Sequence, residues 1–345
     1  MKAPTVVIVG TGDLARTICG SLAALKDVPL RVIVLGRNAG RAAEVARAAE
    51  PAGPVRVTAY PAGAGTAAHL AMAAAACRPE VVLQCASWHS PRDSAGPRSA
   101  WTALLAEAGF GITLPLQALP ASLTAAALPP ESAFINGCFP DAVNPVLAGL
   151  GLPVLCGVGN ASTLWAQLAD PGLKLVAHHI HLHRPGRAAD EARAWQRSAP
   201  VPDLAARLSG LRALPRAAIN ERAGPPAARL VKHLLTGEVA RMSVPGPLGL
   251  PGGYPVLIRG LRLELDLPSA LPAPAAIAWN QRMSGLDGVT VHAHGRVTFA
   301  PHSASALARH LPGLAAGFDL DKLPAVAQQM RELRGRLRRT YEYPG

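Results

Sequence analysis

The start of the chain constrains the fold most strongly, because an apolar run there ends in two closely spaced glycines. Residues 6–9 are apolar and β-branched, Gly10 and Gly12 follow, and apolar residues then recur at helical spacing from Leu14. This pattern predicts a buried strand, a tight turn and a helix. Gly10, Gly12 and Ala15 match the G-x-G-x-x-G/A fingerprint, in which N–H groups at the start of a helix bind a pyrophosphate. The sequence therefore predicts a dinucleotide-binding domain; the alternative is an α/β domain that needs only small residues in its first turn.

The end of the second predicted strand, residues 30–35, indicates which dinucleotide is bound. NAD-binding domains usually place Asp or Glu there to accept hydrogen bonds from the ribose hydroxyls. This chain has Gly36 followed by Arg37, and an arginine can pair with a 2′-phosphate and stack on adenine. The alternative is a solvated arginine in an arginine-rich protein. We therefore predict NADP as the cofactor, with NAD as the second possibility. The predicted cofactor-binding residues are Gly10, Thr11, Gly12, Asp13, Leu14, Ala15, Gly36, Arg37, Asn38, Ala86, Ser87 and Asn136.

Length and composition exclude several other classes of protein. With 345 residues, the chain is long enough for two joined domains. Half of the residues are hydrophobic, yet no run approaches the ~20 apolar residues that cross a bilayer. Met1 and Lys2 lead directly into the first strand, so we expect no signal peptide. Five cysteines without a C-x-x-C pair are typical of reduced thiols, and we predict a cytoplasmic protein.

The formal charge of +12 makes nucleic acid a partner to consider. However, the arginines are scattered, and aromatic residues make up 4% of the chain, too few for an obvious stacking platform. We therefore predict anionic small molecules as the partners, with no nucleic acid and no membrane. We also expect a homodimer or a homotetramer.

The order of apolar and polar segments predicts three parts. Strands alternate with helices over residues 1–160, which is typical of a doubly wound parallel sheet. Residues 161–300 read as an α+β substrate domain with antiparallel strands, and residues 301–345 as a helical C-terminal extension. Within these parts we expect a strand near residues 111–114 and a Pro/Arg-rich connector before a helix at about residue 224.

Four histidines cluster in one predicted strand, residues 174–183. Because alternate side chains of a strand share a face, His179, His181 and His183 would point together and His178 away from them. Histidine titrates closest to physiological pH and so suits a proton donor for carbonyl reduction. We predict His181 as the general acid, with His179 as the second choice. The alternatives are a polar strand edge and a metal site, but no cysteine or acid pattern accompanies the histidines, so no metal is predicted.

Over residues 1 to about 290, the order of elements resembles the lactate/malate dehydrogenase family. The loop at residues 87–98 follows a central strand and resembles that family's mobile substrate loop, whose two arginines match Arg92 and Arg98 here. Asn136, or the pair Asn144-Pro145, resembles the Asn-Pro turn beside the nicotinamide. The histidine-rich segment lies where the family keeps its catalytic histidine. The resemblance implies that Arg92 and Arg98 contact the substrate.

Asp141 follows Pro140 in the sequence, and we interpret it as either a helix cap or a catalytic acid.

The chain departs from the family pattern in two places. The histidine segment lacks the family's glycine-flanked histidine, so the resemblance does not show which histidine matches. The family's next helix carries an aspartate that orients the histidine and an arginine that binds the substrate carboxylate, whereas residues 162–167 here contain neither. We therefore expect the partner of His181 to be a backbone carbonyl, another histidine or water. The predicted function is an NADPH-dependent oxidoreductase that reduces a ketone or imine of a small or peptide-borne anionic substrate. The alternatives are an enzyme similar to the opine and saccharopine dehydrogenases and a non-catalytic dinucleotide-binding sensor.

Overall fold

A six-stranded parallel sheet forms the centre of the protein. The computed structural model describes residues 3–61, 63, 65–90, 99–168, 170, 172–183, 187 and 189–340. The strands are arranged in the order β3-β2-β1-β4-β5-β6, so the chain reverses its direction of winding between β1 and β4. This topology confirms the predicted doubly wound sheet. The strands are β1 (Thr5–Val9), β2 (Leu30–Leu35), β3 (Val55–Ala59), β4 (Val81–Gln84), β5 (Ala133–Asn136) and β6 (Cys156–Gly157).

Helices cover both faces of this sheet, since successive strand residues point to opposite faces. Val6 and Ile8 pack into one core layer with α1, α7 and α10, and Val7 and Val9 pack into the other with α4, α5 and α6. Both faces are therefore buried, as expected of a parallel sheet. The helices of this half are α1 (Asp13–Ala23), α2 (Ala39–Ala48), α3 (Ala67–Ala76), α4 (Ala100–Ala108), α5 (Leu114–Ala127), α6 (Pro140–Gly149) and α7 (Asn160–Leu168), and α10 is Gly224–Thr236.

Three small antiparallel sheets follow, in the orders β7-β8-β9, β10-β11-β12 and β13-β14-β15. They confirm the predicted antiparallel strands of the second half. The strands are β7 (Leu173–Val176), β8 (Arg193–Gln196), β9 (Ala199–Pro200), β10 (Ala240–Pro245), β11 (Gly253–Arg259), β12 (Arg262–Leu265), β13 (Val289–Val291), β14 (Arg296–Phe299) and β15 (Phe318–Asp319). The remaining helices are α8 (Leu204–Arg212), α9 (Arg216–Arg222), α11 (Ala273–Leu286), α12 (Pro301–Ala308) and α13 (Leu323–Arg338).

The predicted strand near residues 111–114 is wrong, because this stretch is helical. A short 3-10 helix, Phe110–Thr113, leads directly into α5. Gly109, with φ +80°, ends α4, and Pro115 lies in the first turn of α5, a position that suits its fixed φ. Among the described residues, Phe110–Ala127 is long and apolar enough to span a membrane, but 78% of that window is buried inside the protein. The continuous apolar run therefore belongs to a core helix. Within a short sequence window, such a run does not distinguish a buried helix from a buried strand.

The predicted four-histidine strand is also wrong. Strand β7 ends at Val176, and a 3-10 helix occupies His179–Leu182. The His178 N–H donates to His181 Nδ1 over 2.8 Å, and the His181 N–H donates to the His178 carbonyl over 3.0 Å. These local bonds close a turn that competes with strand pairing. The shared face predicted for His179, His181 and His183 therefore does not exist.

Residues 184–223 are not the simple connector that was predicted. Their described part contains β8, β9, α8 and α9, and only Ala223 separates α9 from α10. These elements are two to nine residues long. Segments of that length contain too few turns or alternations for a clear periodic signal.

The C-terminal residues pack against the central sheet rather than standing apart. Leu323, Met330 and Leu333 belong to the same core layer as Val7 and Val9, and α13 contacts α4 and α5. Strand β15 also pairs with β14, which joins the segment after residue 300 to the one before it. The division at residues 160 and 300 stays a prediction.

Candidate active site

A cleft of about 810 Å³ lies at the carboxyl ends of the central strands. It is close to the β1–β4 switch in winding direction, which is where doubly wound sheets bind their ligands. Most residues that the sequence singled out for cofactor binding line this cleft. They are Gly10, Thr11, Gly12, Asp13, Leu14, Gly36, Arg37, Asn38, Ala86 and Ser87.

The β1–α1 turn has the shape required by a bound diphosphate. Gly10 adopts φ +130°, and a Cβ there would lie 2.9 Å from the Cys85 carbonyl carbon, so only glycine fits without strain. A Cβ on Gly36 would approach Thr11 Cγ2 to 2.6 Å. By contrast, a Cβ on Gly12 would meet no atom within 4 Å, and Gly12 forms the uncapped start of α1. The first-turn N–H groups therefore face open space in the cleft, where an anion is stabilised by the helix dipole.

Arginines surround the end of the cleft next to β2. Arg37 is exposed and lines the cleft, and Arg41 and Arg16 line the cleft as well. Asn38 accepts a hydrogen bond from the Arg41 N–H over 3.0 Å and thereby caps α2. Arg16 and Arg41 were not predicted, although Arg41 lies four residues after Arg37 and α2 begins between them. This end of the cleft is suited to a phosphate group.

Two predicted cofactor contacts lie away from the cleft. Ala15 is fully buried under the turn, where a small residue lets α1 pack closely on the sheet. Asn136 is also fully buried: its side chain accepts from the Cys138 N–H over 2.8 Å and donates to Asn144 Oδ1 over 2.9 Å. Its amide therefore fixes the turn after β5, whereas Cys138 and Phe139 of that turn line the cleft.

His179 also lines the cleft; we call the part formed by His179 and its neighbours the inner cleft, and the part formed by the β1–α1 turn and Arg37 the outer cleft. Its Nδ1 is 2.8 Å from Asp287 Oδ2, and its ring stacks on Phe110 with the centroids 5.0 Å apart. The Phe139 ring meets it edge-on at 5.1 Å, and only 5% of His179 is exposed. The partner of His179 Nδ1 is therefore of a different kind from the backbone carbonyl, histidine or water expected for His181, whose own Nε2 does bond to a backbone carbonyl. The partner is a carboxylate 108 residues further along the chain, which no local motif indicated.

Asp141 holds the backbone of His179. This residue lies in the first turn of α6, and its Oδ1 accepts the His179 N–H over 3.0 Å. Its Oδ2 accepts from Asn160 Nδ2 over 2.5 Å. Burial raises the pKa of Asp141 to about 7; the Asn160 bond lowers it, and the Asp287 carboxylate raises it further. Of the two predicted roles, a helix cap does not apply, because no side chain caps the start of α6.

The other two buried histidines of this segment, His181 and His178, have structural partners. His181 Nδ1 accepts from the His178 N–H, so Nε2 carries the proton and donates to the Asp190 carbonyl over 2.6 Å. Its ring stacks on Trp279 and does not line the cleft. His178 Nε2 lies 3.1 Å from Ser284 Oγ, and burial lowers the pKa of His178 to about 3. Burial also lowers the pKa of His181.

His183 is the fourth histidine of the segment and is exposed. Its Nε2 lies 3.2 Å from His179 Nε2, and the two ring centroids are 4.8 Å apart. The 3-10 turn between them brings residues four apart together. Within the part of the chain that the structure describes, no group of three or more His, Cys, Asp or Glu residues is placed to hold a metal ion.

The loop after β4 contributes its first residues to the cleft. Ser87, His89 and Ser90 line it, and His89 is buried next to Trp101 and Phe110. The Arg331 guanidinium of α13 lies over the Trp88 ring, with its Cζ atom 4.9 Å from the centroid of that ring. Arg92 and Arg98, the predicted substrate contacts, lie outside the described residues.

No family model matches this chain, and no curated protein matches it significantly in sequence. Among solved structures, the fold is similar to that of the minor L-lactate dehydrogenase from Enterococcus mundtii in its ligand-bound form. The TM-score is 0.50, with 14% sequence identity over 82% of this chain and 96% of that chain. At this identity the similarity establishes the fold alone.

Proposed function

We propose that the protein is an NADPH-dependent oxidoreductase that reduces a carbonyl or imine group, with His179 as the general acid. The observation that carries this proposal is that His179, which is paired with the buried Asp287, lines the same cleft as the glycine turn of β1 and α1. A reductase needs a dinucleotide beside a proton donor, and a cleft lined by both a glycine turn and a histidine suits that chemistry.

The residues of the outer cleft suit the cofactor. The first-turn N–H groups of α1 would bind the diphosphate, and Arg37 with Arg41 would bind the 2′-phosphate. NADPH, when bound, supplies the hydride. The lack of an acid in Gly36-Arg37-Asn38, directly after β2, supports NADP over NAD, since an Asp or Glu at that position would repel the extra phosphate.

His179 is proposed in preference to His181, because the ring nitrogens of His181 bond to backbone groups. If Asp287 accepts the Nδ1–H of His179, Nε2 is the nitrogen that exchanges a proton with the substrate. The negative charge of Asp287 stabilises the imidazolium form that donates this proton. Phe110 and Phe139 flank the ring and limit its contact with water.

The proposed substrate is a small or peptide-borne anion. Arg92 and Arg98 would bind its negative charge, as their counterparts do in the family that the sequence resembles. We further propose a cytoplasmic homo-oligomer.

The test is oxidation of NADPH, followed by its nicotinamide absorbance, with panels of 2-keto acids, other ketones and preformed imines. His179→Asn should lower turnover by ~10²–10⁴, the usual contribution of general acid–base catalysis, and leave NADPH affinity unchanged. His310→Asn, at the end of α12 and away from the cleft, is the matched control. Normal turnover in His179→Asn would contradict the assignment, and dinucleotide binding without any turnover would favour the sensor.

A further inference from the structure

The contact between His179 and His183 joins a buried ring to an exposed one. The two Nε2 atoms lie 3.2 Å apart, within hydrogen-bond distance, while Asp287 holds Nδ1 of His179 at 2.8 Å. His179 is 5% exposed, whereas His183 is exposed at the end of the 3-10 turn. The row Asp287, His179, His183 therefore leads from the buried carboxylate to solvent.

The protonation states of this row are restricted. With Asp287 ionised, Nδ1 of His179 carries a proton and donates it. In the neutral ring, Nε2 then has a lone pair, so His183 Nε2 must be the donor. If one more proton is added, it goes to Nδ1 of His183, and the single proton between the two Nε2 atoms can then sit on either ring. A further proton would place two N–H groups face to face and break the contact.

We propose that His183 is a proton relay that reloads His179 from solvent after each turnover. The inference rests on the proposed function, since it assigns a second residue to the same proton transfer. His183 acts through His179 and is a positioning and relay residue rather than a catalytic one.

The proton balance of the cycle is complete. The substrate carbon accepts a hydride from the dihydronicotinamide, and the oxygen or nitrogen bonded to it takes the Nε2 proton of His179. His179 is then neutral. His183, as the imidazolium, transfers its Nε2 proton to Nε2 of His179, and the neutral His183 takes a proton from water. Each turnover thus consumes one solvent proton.

Substrate and His183 approach the same atom, so they take turns at Nε2. A carbonyl oxygen that accepts a proton from His179 must lie near Nε2, which is the direction His183 occupies. The exposed position of His183 lets its side chain swing outward when substrate enters and return when product leaves.

The groups around the pair affect its titration. Asp287 faces His179 from the end of α11, and Asp141 accepts the His179 backbone N–H from α6. The Nδ1 of His178 lies 3.9 Å from Asp287 Oδ2, and His89 meets the Phe110 ring edge-on with the centroids 5.6 Å apart. The Asp287 carboxylate, 2.8 Å from His179 Nδ1, favours one added proton in the pair, which is the state a relay needs.

The first measurement is independent of catalysis. Nitrogen NMR of the histidine rings in wild-type protein should show His179 and His183 titrating in two coupled steps. In His183→Asn, His179 should titrate in a single step. Identical His179 titration curves in the two proteins would overturn the proposal, because they would show that no proton is shared.

The second measurement is turnover with and without added imidazole, a small diffusible proton donor. His183→Asn should slow turnover by about tenfold or more, less than the ~10²–10⁴ loss expected in His179→Asn. The loss should grow as pH rises, since fewer solvent protons reach His179, and imidazole should restore the rate. His310→Asn should show none of these effects.

The outcomes separate this proposal from the function on which it rests. Full activity in His183→Asn beside an inactive His179→Asn would reject the relay and keep the reductase. A loss that imidazole does not restore would show a structural role and reject the relay. A wild-type protein that oxidises no NADPH with any substrate would reject both.

Discussion

Asp287 gives His179 a defined orientation although it lies far away in sequence. The carboxylate is 8% exposed and follows α11, where its own N–H donates to the Met283 carbonyl. Its Oδ2 lies 2.8 Å from His179 Nδ1 and 3.9 Å from His178 Nδ1. Since burial keeps His178 neutral, the charge of Asp287 is directed at His179.

We predict that Asp287→Asn lowers turnover by ~10²–10⁴ without weakening NADPH binding, because the neutral amide no longer stabilises the imidazolium. The measurement is steady-state turnover together with a dinucleotide dissociation constant. Asp319→Asn, an exposed aspartate paired with Arg296, is the control and should behave as the wild type. Unchanged turnover in Asp287→Asn would remove this carboxylate from the mechanism.

Arg37 and Arg41 should decide between the two dinucleotides. Replacing either with alanine should weaken NADPH binding by ~1–3 kcal/mol, the usual effect of losing a charge-assisted contact, and change NADH binding little. Isothermal titration with both dinucleotides measures this difference. Arg47→Ala, in the last turn of α2 and not on the cleft, is the control. Equal affinities of the wild type for NADPH and NADH would contradict the prediction.

At the level of elements, the start of α6 connects the turn after β5, which lines the cleft, to the 3-10 turn that begins at His179. Phe139 adopts the left-handed conformation, with φ 48°, which directs α6 so that Asp141 faces the His179 backbone. A non-glycine residue in that conformation is uncommon and often marks a functional site. Here it lies where β5 ends and the cleft begins.

Asp141 should make stability depend on pH with a definite sign. Its pKa is raised from 3.8 to about 7 in the folded protein, so the native state binds the proton more tightly than the unfolded state. Its contribution to the free energy of unfolding therefore falls as pH rises from about 4 to about 7 and is constant above that range.

The variant Asp141→Asn does not ionise and should lose this dependence. The free energy of unfolding of Asp141→Asn, minus that of the wild type, should be ~2–3 kcal/mol larger at pH 8 than at pH 5. The hydrogen bond that the variant loses lowers its stability equally at both pH values. Urea unfolding at the two pH values measures the difference. Ser162→Ala, on the neighbouring α7, is a control without a titrating group. A constant difference between Asp141→Asn and wild type would contradict the raised pKa.

On the scale of the whole molecule, the C-terminal helix is part of the core on one face of the central sheet. Leu333 is 1% exposed and shares that layer with Val7, Val9 and residues of α4 and α5. Two contacts also join this end of the chain to the loop after β4 and to the start of α4: Arg331 stacks on Trp88 of the loop, and the N–H of Ala100, the first residue of α4, donates to the Thr340 carbonyl. The last helix therefore stabilises the same sheet that carries the cleft.

We predict that Leu333→Ala lowers the free energy of unfolding by ~2–5 kcal/mol, the range for deleting a buried leucine side chain. Leu261→Ala, at an exposed position between β11 and β12, should change it by less than ~0.5 kcal/mol. Calorimetry should show α13 and the sheet unfolding in one transition. A separate, earlier transition for the C-terminal segment would show that it is an independent extension.

The sequence by itself determined those parts of the protein whose geometry is local. The β-branched run and the glycines at residues 10 and 12 define the β1–α1 turn, because strand period and backbone freedom are properties of neighbouring residues. The same holds for β2 and for Arg37 at its end, and these predictions gave the parallel sheet and most of the outer cleft.

Only the tertiary structure decided the inner cleft. The pairing of His179 with Asp287 joins residues 108 apart, and it depends on how α11 packs against the 3-10 turn. The turn itself forms because His181 bonds to the His178 backbone, a choice that the strand-like pattern of residues 174–183 conceals. Periodicity reports which face of an element is buried; it carries no information on which distant side chain that face will meet.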